Sequence, residues 1–343
     1  MELFPQGIAG DGGKVTRRKG AFHGYMKDIS VIIPNYNGLR FLDTVFKSLR
    51  RQTTDRFETI LVDNGSTDES VQFTSANYPE VRIIRLPDNR GFAGAVNEGI
   101  KASSGKYCLL LNNDTEAEPG FVEELYNAIR RHKKAFSCQA KMIGFDDRSR
   151  LDDAGNYYCA LGWAFARGKG KDVSLYNKEE RIFSACAGAA IYKKSLLLKL
   201  GLFDEEHFAY LEDLDIGYRA RLKGYENWFA PRAVVYHVGS GTSGSRYNQF
   251  KIRYSSRNNI YMINKNMPLP QKIINFPFLA LGFGTKLVFF LMKGYGREYA
   301  AGIVNGFRIS KPEKKVRFER KFLRCYIDIQ KELWINMLRR TQG

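Results

Sequence analysis

An α/β fold around a mostly parallel sheet is the architecture this sequence predicts, and three observations predict it. Short apolar runs alternate with helix-length segments over residues 29–114, the pattern of consecutive βαβ units. Polar clusters close the apolar runs, at Asn35-Tyr36-Asn37, Asp63-Asn64-Gly65-Ser66 and Asn112-Asn113-Asp114, where a parallel sheet presents its strand ends to a ligand. With 343 residues, 44% hydrophobic and 13% aromatic, the chain can build one large domain with extensions, or two domains.

The elements follow in order. Residues 29–33 form an apolar run ending at Pro34 and read as a buried strand; 39–49 have helical spacing; 58–63 are the next strand. Ser66 or Thr67 is placed to cap a helix, with Asp68 as an acid in its first turn. Strands are expected at 81–86 and 106–111, and helices at 92–102 and 119–131. Residues 144–182 are Gly-, Asp- and Arg-rich and read as a mobile, irregular loop. A strand of small residues at 184–192, helices at 194–200 and 212–222, and a strand at 226–236 complete the pattern, followed by a flexible Gly/Ser loop at 239–245. Residues 273–292 are strongly apolar but interrupted by Pro277, Gly282, Gly284 and Lys286, at the short end for a membrane span. Residues 313–340 set an apolar stripe of Leu323, Tyr326, Ile327, Leu333, Trp334 and Met337 opposite basic residues. That pattern suits a helix lying on anionic membrane, or an ordinary packing helix with a solvated face.

Charge divides the chain. The net charge is +18, yet residues 241–343 carry 20 Lys or Arg against 5 Asp or Glu, while 29–240 carry 29 against 28. A flexible tail is expected over 1–28, a near-neutral domain over 29–240, and a basic helical extension over 241–343. The extension suits an anionic membrane surface or the acceptor side of a site; no RNA-binding signature accompanies it, so no nucleic-acid partner is expected. The five cysteines show no paired or metal-ligand spacing, and residues 1–28 contain no apolar signal region. Both point to the cytoplasm, at the inner face of the membrane.

The stretch 210–215 places Glu212, Asp213 and Asp215 among apolar neighbours, with His237 downstream. Carboxylates held away from water are costly unless used, although acids also favour a solvated helix N-terminus. No GxGxxG follows the first strand, and there is no P-loop and no GxSxG elbow, which excludes the common nicotinamide, phosphate-loop and hydrolase sites. With four histidines, histidine-driven catalysis has few candidates. The strand ends instead offer Asp63 as an acceptor for a nucleobase N–H and Asp114 as a metal ligand that His237 could complete. Asp213 could then deprotonate a hydroxyl.

Six ordered motifs carry a resemblance: SVIIPNYNG (30–38), ILVDNGSTDES (60–70), NRGFAGAVNEGI (89–100), LLLNNDTEAEPGF (109–121), GAAIYKKSLLLKLGLFDEEHFAYLEDLDIGYRARLKGY (188–225) and VVYHVGSGTSG (234–244). Over roughly residues 28–262 the chain resembles the family 2 glycosyltransferases of GT-A fold, in particular rhamnosyltransferase-like members that elongate bacterial cell-surface glycans. The resemblance implies an inverting, metal-dependent transfer from a nucleoside-diphosphate sugar, dTDP-rhamnose or a UDP-sugar, to a glycan or glycolipid acceptor. It implies that Pro34, Tyr36, Asn37 and Asp63 cradle the nucleoside and that Asn89, Gly91, Asn97, Asn112 and Asn113 line the nucleotide-sugar pocket. Asp114 and His237 would hold Mg2+ or Mn2+. Asp213 would be the base, with Glu212 as the alternative, and Asp215 would cap or orient. Two departures stand out: Asn112 replaces the first acid of the DxD motif, and no QxxRW follows the Glu-Asp pair, which favours non-processive transfer. Two other readings remain: a nucleotidyltransferase, which would need a Gly- and Arg-rich loop where Asn35-Tyr36-Asn37-Gly38 stands, and a non-catalytic nucleotide- or membrane-binding protein on a degenerate transferase fold.

Overall fold

The structure, a computed structural model, describes residues 27–239 and 247–341. The tail expected over 1–28, apart from Lys27 and Asp28, and the loop expected over 239–245, apart from Gly239, lie outside them.

The first half runs β1 (Ile29–Asn35), α1 (Leu39–Arg50), β2 (Phe57–Asp63), α2 (Ser70–Asn77), β3 (Arg82–Arg85), α3 (Gly91–Ala102), β4 (Tyr107–Leu111), β5 (Thr115–Ala117), α4 (Phe121–Arg131) and β6 (Ala135–Gly144). Next come β7 (Leu151–Asp153), β8 (Asn156–Cys159), β9 (Trp163–Ala166), β10 (Glu180–Ile182), β11 (Ala189–Lys193), α5 (Lys194–Leu200), α6 (Glu212–Leu222) and β12 (Glu226–His237). Four helices follow: α7 (Gln249–Asn266), α8 (Leu269–Met292), α9 (Gly296–Ile309) and α10 (Leu323–Thr341).

The main sheet has the order β10-β12-β6-β11-β4-β1-β2-β3, with β5 on β12 and β7 on β6. Strands β4, β1, β2 and β3 are mutually parallel, as are β12 and β6, while β11 inserts antiparallel between β4 and β6. Helices cover both faces, which is why β1 reads as a continuous apolar run. Val31 and Ile33 pack with Leu42, Phe46, Leu109 and Phe121 on one face, and Ile32 with Ile60, Val62, Val96 and Leu110 on the other. A third core, including Tyr158, Phe183, Tyr218, Met262, Ile329 and Leu333, joins β8 and α6 to α7 and α10.

Four local expectations change. The helix expected from Ser66 or Thr67 begins at Ser70, because those two residues are spent on the neighbouring strand end. Asn37 N–H donates to Ser66 Oγ (3.0 Å) and Thr67 N–H to Asn37 Oδ1 (2.8 Å), while Asp68 accepts from Leu39 N–H and Ser70 N–H. Residues 144–182 are not an irregular loop: they carry four short strands and bury Leu151, Tyr158 and Cys159. The strand expected from 184 starts at Ala189, since Ser184 Oγ donates to the Asp213 carbonyl (3.0 Å) and Cys186 N–H to Gln139 Oε1 (2.6 Å), which turns that segment under α6. Finally, the stripe at 313–340 is split. Tyr326 and Leu333 enter the third core, whereas Leu323, Ile327 and Trp334 are exposed.

Candidate active site

A cavity of about 1170 Å³ opens where the carboxyl ends of β1 and β4 meet β12, the first turn of α6 and the start of α7. Pro34, Tyr36, Asn89, Gly91, Asn112, Asn113, Asp114, Glu212, Asp213 and His237 all line it. Tyr36 stands at its rim, 37% exposed. Asn113 Nδ2 donates to Asn35 Oδ1 (2.7 Å), tying the ends of β4 and β1 together. Asn89 Oδ1 accepts from Asn64 Nδ2 (3.0 Å) and from Gly91 N–H (2.9 Å), which shapes the turn into α3. Gly91 has φ +71°, and a Cβ there would collide with the backbone oxygen and ring of Phe208, so the approach of these two segments requires glycine.

Three expected residues do not line the cavity. Asn97 is buried with its side chain bonded to Phe203 and Glu205, so it fastens α3 to the segment before α6. Asn37, at φ 50°, is used by Thr67 and Asp68. Asp63 lies at the end of β2; its Oδ2 accepts from Ser66 N–H (3.3 Å) and its buried Oδ1 has no partner.

Asp114 and His237 converge, with His237 Nε2 3.3 Å from Asp114 Oδ1. On the far side of the ring, Asp152 Oδ2 sits 2.8 Å from Nδ1. Burial pulls the imidazole pKa down, but the flanking Asp114 and Asp152 carboxylates outweigh it and hold it at about 9. Burial would raise Asp152, yet His237 and Lys169 bring it down to about 2. A carboxylate holding Nδ1–H while Nε2 faces a second carboxylate is the support that metal-bound histidines receive, and this donor set fits a divalent cation. A second group, Asp204, His207 and Asp215, has ligand atoms within 4.8 Å of one another. There Lys265 Nζ already donates to both carboxylates (2.6 and 2.9 Å), and burial holds His207 neutral with a pKa of about 4, so an ammonium fills the role a metal would take.

Glu212 and Asp213 face the cavity from the first turn of α6 with no cation against either carboxylate among the described residues. Burial raises both. Glu212 is pushed furthest, by burial and then by the Asp213 charge, and its Oε2 has no partner. Asp213 is restrained by donors: Leu214 N–H to Oδ1 (2.6 Å), and Ala187 N–H (3.4 Å) and Asn156 Nδ2 (3.2 Å) to Oδ2. The pair thus offers two carboxyl groups whose proton affinity burial raises, and Asp213 is the one oriented by donors to receive a proton.

Sequence reasoning missed several residues that build this site. Asp152 and Asn156 lie in the stretch read as loop, and nothing local marks them. Phe208, Tyr210 and Leu211 line the cavity with φ of 59°, 72° and 68°. Such strained backbone leaves no compositional trace, although an aromatic pair before Leu-Glu-Asp was a visible hint. Asn248, which caps α7, and Gln249 and Phe250 in its first turn complete the wall from within the basic extension.

The sequence matches the family described as Glycosyl transferase family 2 over residues 30–201. Among curated relatives, it is 28% identical to Glycosyltransferase GlyG of Streptococcus pneumoniae, covering 53% of this chain and 60% of that protein. It is 27% identical to the N-acetylglucosaminyl-diphospho-decaprenol L-rhamnosyltransferase of Mycobacterium tuberculosis, covering 63% and 78%. Among solved structures, GalNAc-T7 with UDP, GalNAc and Mn2+ aligns with a TM-score of 0.56 at 16% identity, over 69% of this chain and 48% of that one. Staphylococcus aureus TarS 1–349 with UDP-GlcNAc aligns at 0.55 and 18%, over 91% and 85%. At such identities the likeness establishes the fold, the GT-A arrangement of a mixed sheet between helices that the sequence predicts.

Proposed function

The chain belongs to the family 2 glycosyltransferases, and we propose from that premise that it moves one sugar at a time, with inversion, from a nucleoside diphosphate to a hydroxyl of a lipid-linked or cell-surface glycan precursor. The observation that carries this reading is the meeting, in one cavity, of a cation-free carboxylate pair and the Asp114–His237 ligand pair. Tyr36 and Pro34 receive the nucleoside, and Asn112 and Asn113 the sugar diphosphate. Asp63, outside the cavity lining but paired in the sheet with the lining residue Asn35, keeps a buried, unpartnered Oδ1 as the candidate acceptor for a base N–H. Asp114 and His237 would hold Mg2+ or Mn2+, which when bound offsets the charge of the leaving diphosphate. Asp213 takes the proton of the acceptor hydroxyl while that oxygen bonds to the anomeric carbon. The anomeric C–O bond breaks on the opposite face, and the nucleoside diphosphate departs with the electron pair. The relative from M. tuberculosis favours a rhamnosyl donor such as dTDP-rhamnose, with UDP-sugars as the alternative.

The surface of the basic extension suggests where this happens. Helix α8 is long and apolar enough to cross a membrane, yet only 11% of its most apolar window is buried, and Ile273, Phe276, Leu281 and Met292 are among its exposed residues. With the surplus of Lys and Arg around it, this face suits peripheral attachment to an anionic leaflet on the cytoplasmic side.

Asp213→Asn should lower transfer by about 10²–10⁴-fold while leaving nucleotide binding intact, as read by turnover and by titration calorimetry with UDP or dTDP. Near-normal turnover would remove Asp213 from the role of base and pass it to Glu212.

The raised pKa of Asp213 sets a pH dependence. The group must be deprotonated to act, so activity falls as pH drops through a value above the ordinary Asp range of about 4. Asn156→Ala removes a donor that favours the charged form and should shift this acid limb to still higher pH; a limb that stays put or moves down would uncouple Asn156 from the base.

Mn2+ with UDP or dTDP should raise the melting temperature, since saturation at about 100 times the dissociation constant adds about 2.7 kcal/mol. Asp114→Asn should abolish the Mn2+-dependent part; full stabilisation in the variant would take Asp114 off metal duty.

Vesicles containing phosphatidylglycerol should co-sediment the protein, and vesicles of phosphatidylcholine alone should bind it far less. Equal binding to both at low salt, unchanged when salt is raised, would exclude an electrostatic contribution from the basic extension.

A further inference from the structure

Beside the active-site cavity lies a second one of about 570 Å³, an open cleft between α7 and α9. Gln249 and Phe250 line both cavities, so the two adjoin. Glycines let the helices approach closely: a Cβ at Gly302 would strike Ser256, and one at Gly306 the Arg257 carbonyl and Ile260. The shared wall is aromatic. Phe250 and Tyr254 have ring centroids 4.5 Å apart, and Phe208, which faces the active site, lies 5.5 Å from Tyr254. Arg257 stacks on Tyr254 at 4.5 Å and is committed to the carbonyls of Glu206 and His207. Arg253, one turn earlier, is exposed in the same cavity with no carboxylate within ion-pair distance among the described residues. On the opposite wall, Glu298 likewise has no cation partner among them.

Aromatic faces suit the C–H faces of a sugar, a carboxylate accepts sugar hydroxyls, and an uncommitted guanidinium suits a phosphate. The exposed apolar face of α8 adjoins this region, with Phe290 against Tyr299 of α9 at 5.1 Å. We infer that the α7–α9 cavity is the acceptor subsite and takes a glycosyl phosphate: the sugar lies on Phe250 and Tyr254, Arg253 binds the phosphate, and the lipid tail leaves along α8. This inference rests on the sugar transfer proposed above and adds to it the chemistry of the acceptor's reducing end.

The test is titration calorimetry with N-acetylglucosamine 1-phosphate, N-acetylglucosamine and glycerol 3-phosphate, on the full chain and on Arg253→Ala. The glycosyl phosphate should bind about tenfold tighter than the free sugar, and Arg253→Ala should erase most of that difference while UDP or dTDP affinity stays unchanged. Equal affinity for sugar and sugar phosphate, or an unaffected variant, overturns the inference. Glycerol 3-phosphate binding as tightly as the sugar phosphate also overturns it, in favour of a phospholipid headgroup site. Lack of nucleotide binding with intact sugar-phosphate binding would instead sink the donor-site reading and leave this cavity's ligand standing.

Discussion

The buried carboxylate of Asp215 holds the functional half of the molecule together. It is fully excluded from solvent and accepts from Arg219 Nε (2.8 Å), Lys265 Nζ (2.9 Å) and Asn266 Nδ2 (2.8 Å). Burial alone would raise its pKa, but the two cations hold it far below the ordinary carboxylate range. A buried ion pair adds little net stability, yet removing one partner strands the other at a cost of about 3–5 kcal/mol. The value of this one is positional. Lys265 also bonds Asp204, and Tyr261 donates to the same carboxylate (2.7 Å), so α7 is fastened both to α6 and to the segment before it. Asp213, two residues earlier on α6, meets backbone N–H groups and Asn156 instead of cations, and Glu212 beside it likewise has no cation among the described residues. One helix thus anchors through one carboxylate and keeps two others able to exchange a proton.

That anchoring constrains the strained approach to the cavity. Tyr210 and Leu211 sit at positive φ in the left-handed range, which costs about 1–2 kcal/mol per residue for side chains other than glycine, and Phe208, with φ 59° and ψ −63°, spans a tight turn that is also strained. The surrounding structure must supply that energy. Asn258, fully buried on α7, donates to the carbonyls of His207, Ala209 and Tyr210, each at 2.8 Å, and clamps the loop as a continuous hydrogen-bonded run would. Gly91 leaves room on the other side. The rim of the site is therefore made by α7 as much as by the sheet.

The parallel half of the fold was legible because strands buried on both faces leave unbroken apolar runs, and β1, β2 and β4 fall within two residues of their expected bounds. Pro34, Tyr36, Asn112, Asn113, Asp114, Glu212, Asp213 and His237 were legible as positions at strand ends and a helix start, and all of them line one cavity. Asn37 and Asn97 were not: a side-chain amide at a motif position serves a turn or an interhelical tie as readily as a ligand. Asp152 was hidden for a different reason. Its segment gains its order from distant partners, such as Gln139 Nε2 on Asp153 (2.9 Å) and Lys141 Nζ on Asn177 (2.7 Å), and contacts of that kind leave no periodicity to read.

Helices α7 and α8 invert the usual distribution of polarity. Helix α7 buries Asn258, Asn259, Lys265 and Asn266, each hydrogen-bonded, whereas α8 exposes Leu269, Ile273, Phe276, Leu281 and Met292. Buried amides are tolerated because each donates a hydrogen bond and so fixes a neighbour of the site, although Asn266 Oδ1 is left without a partner among the described residues. Exposed apolar side chains gain nothing from water, and one contiguous helix of them is more than scatter. A polar helix inside and an apolar helix outside make sense together if the medium beyond α8 is itself apolar. On that arrangement α7 faces the sugar chemistry, α8 faces the lipid, and the cavity between α7 and α9 lies where a molecule with one end in each would have to pass.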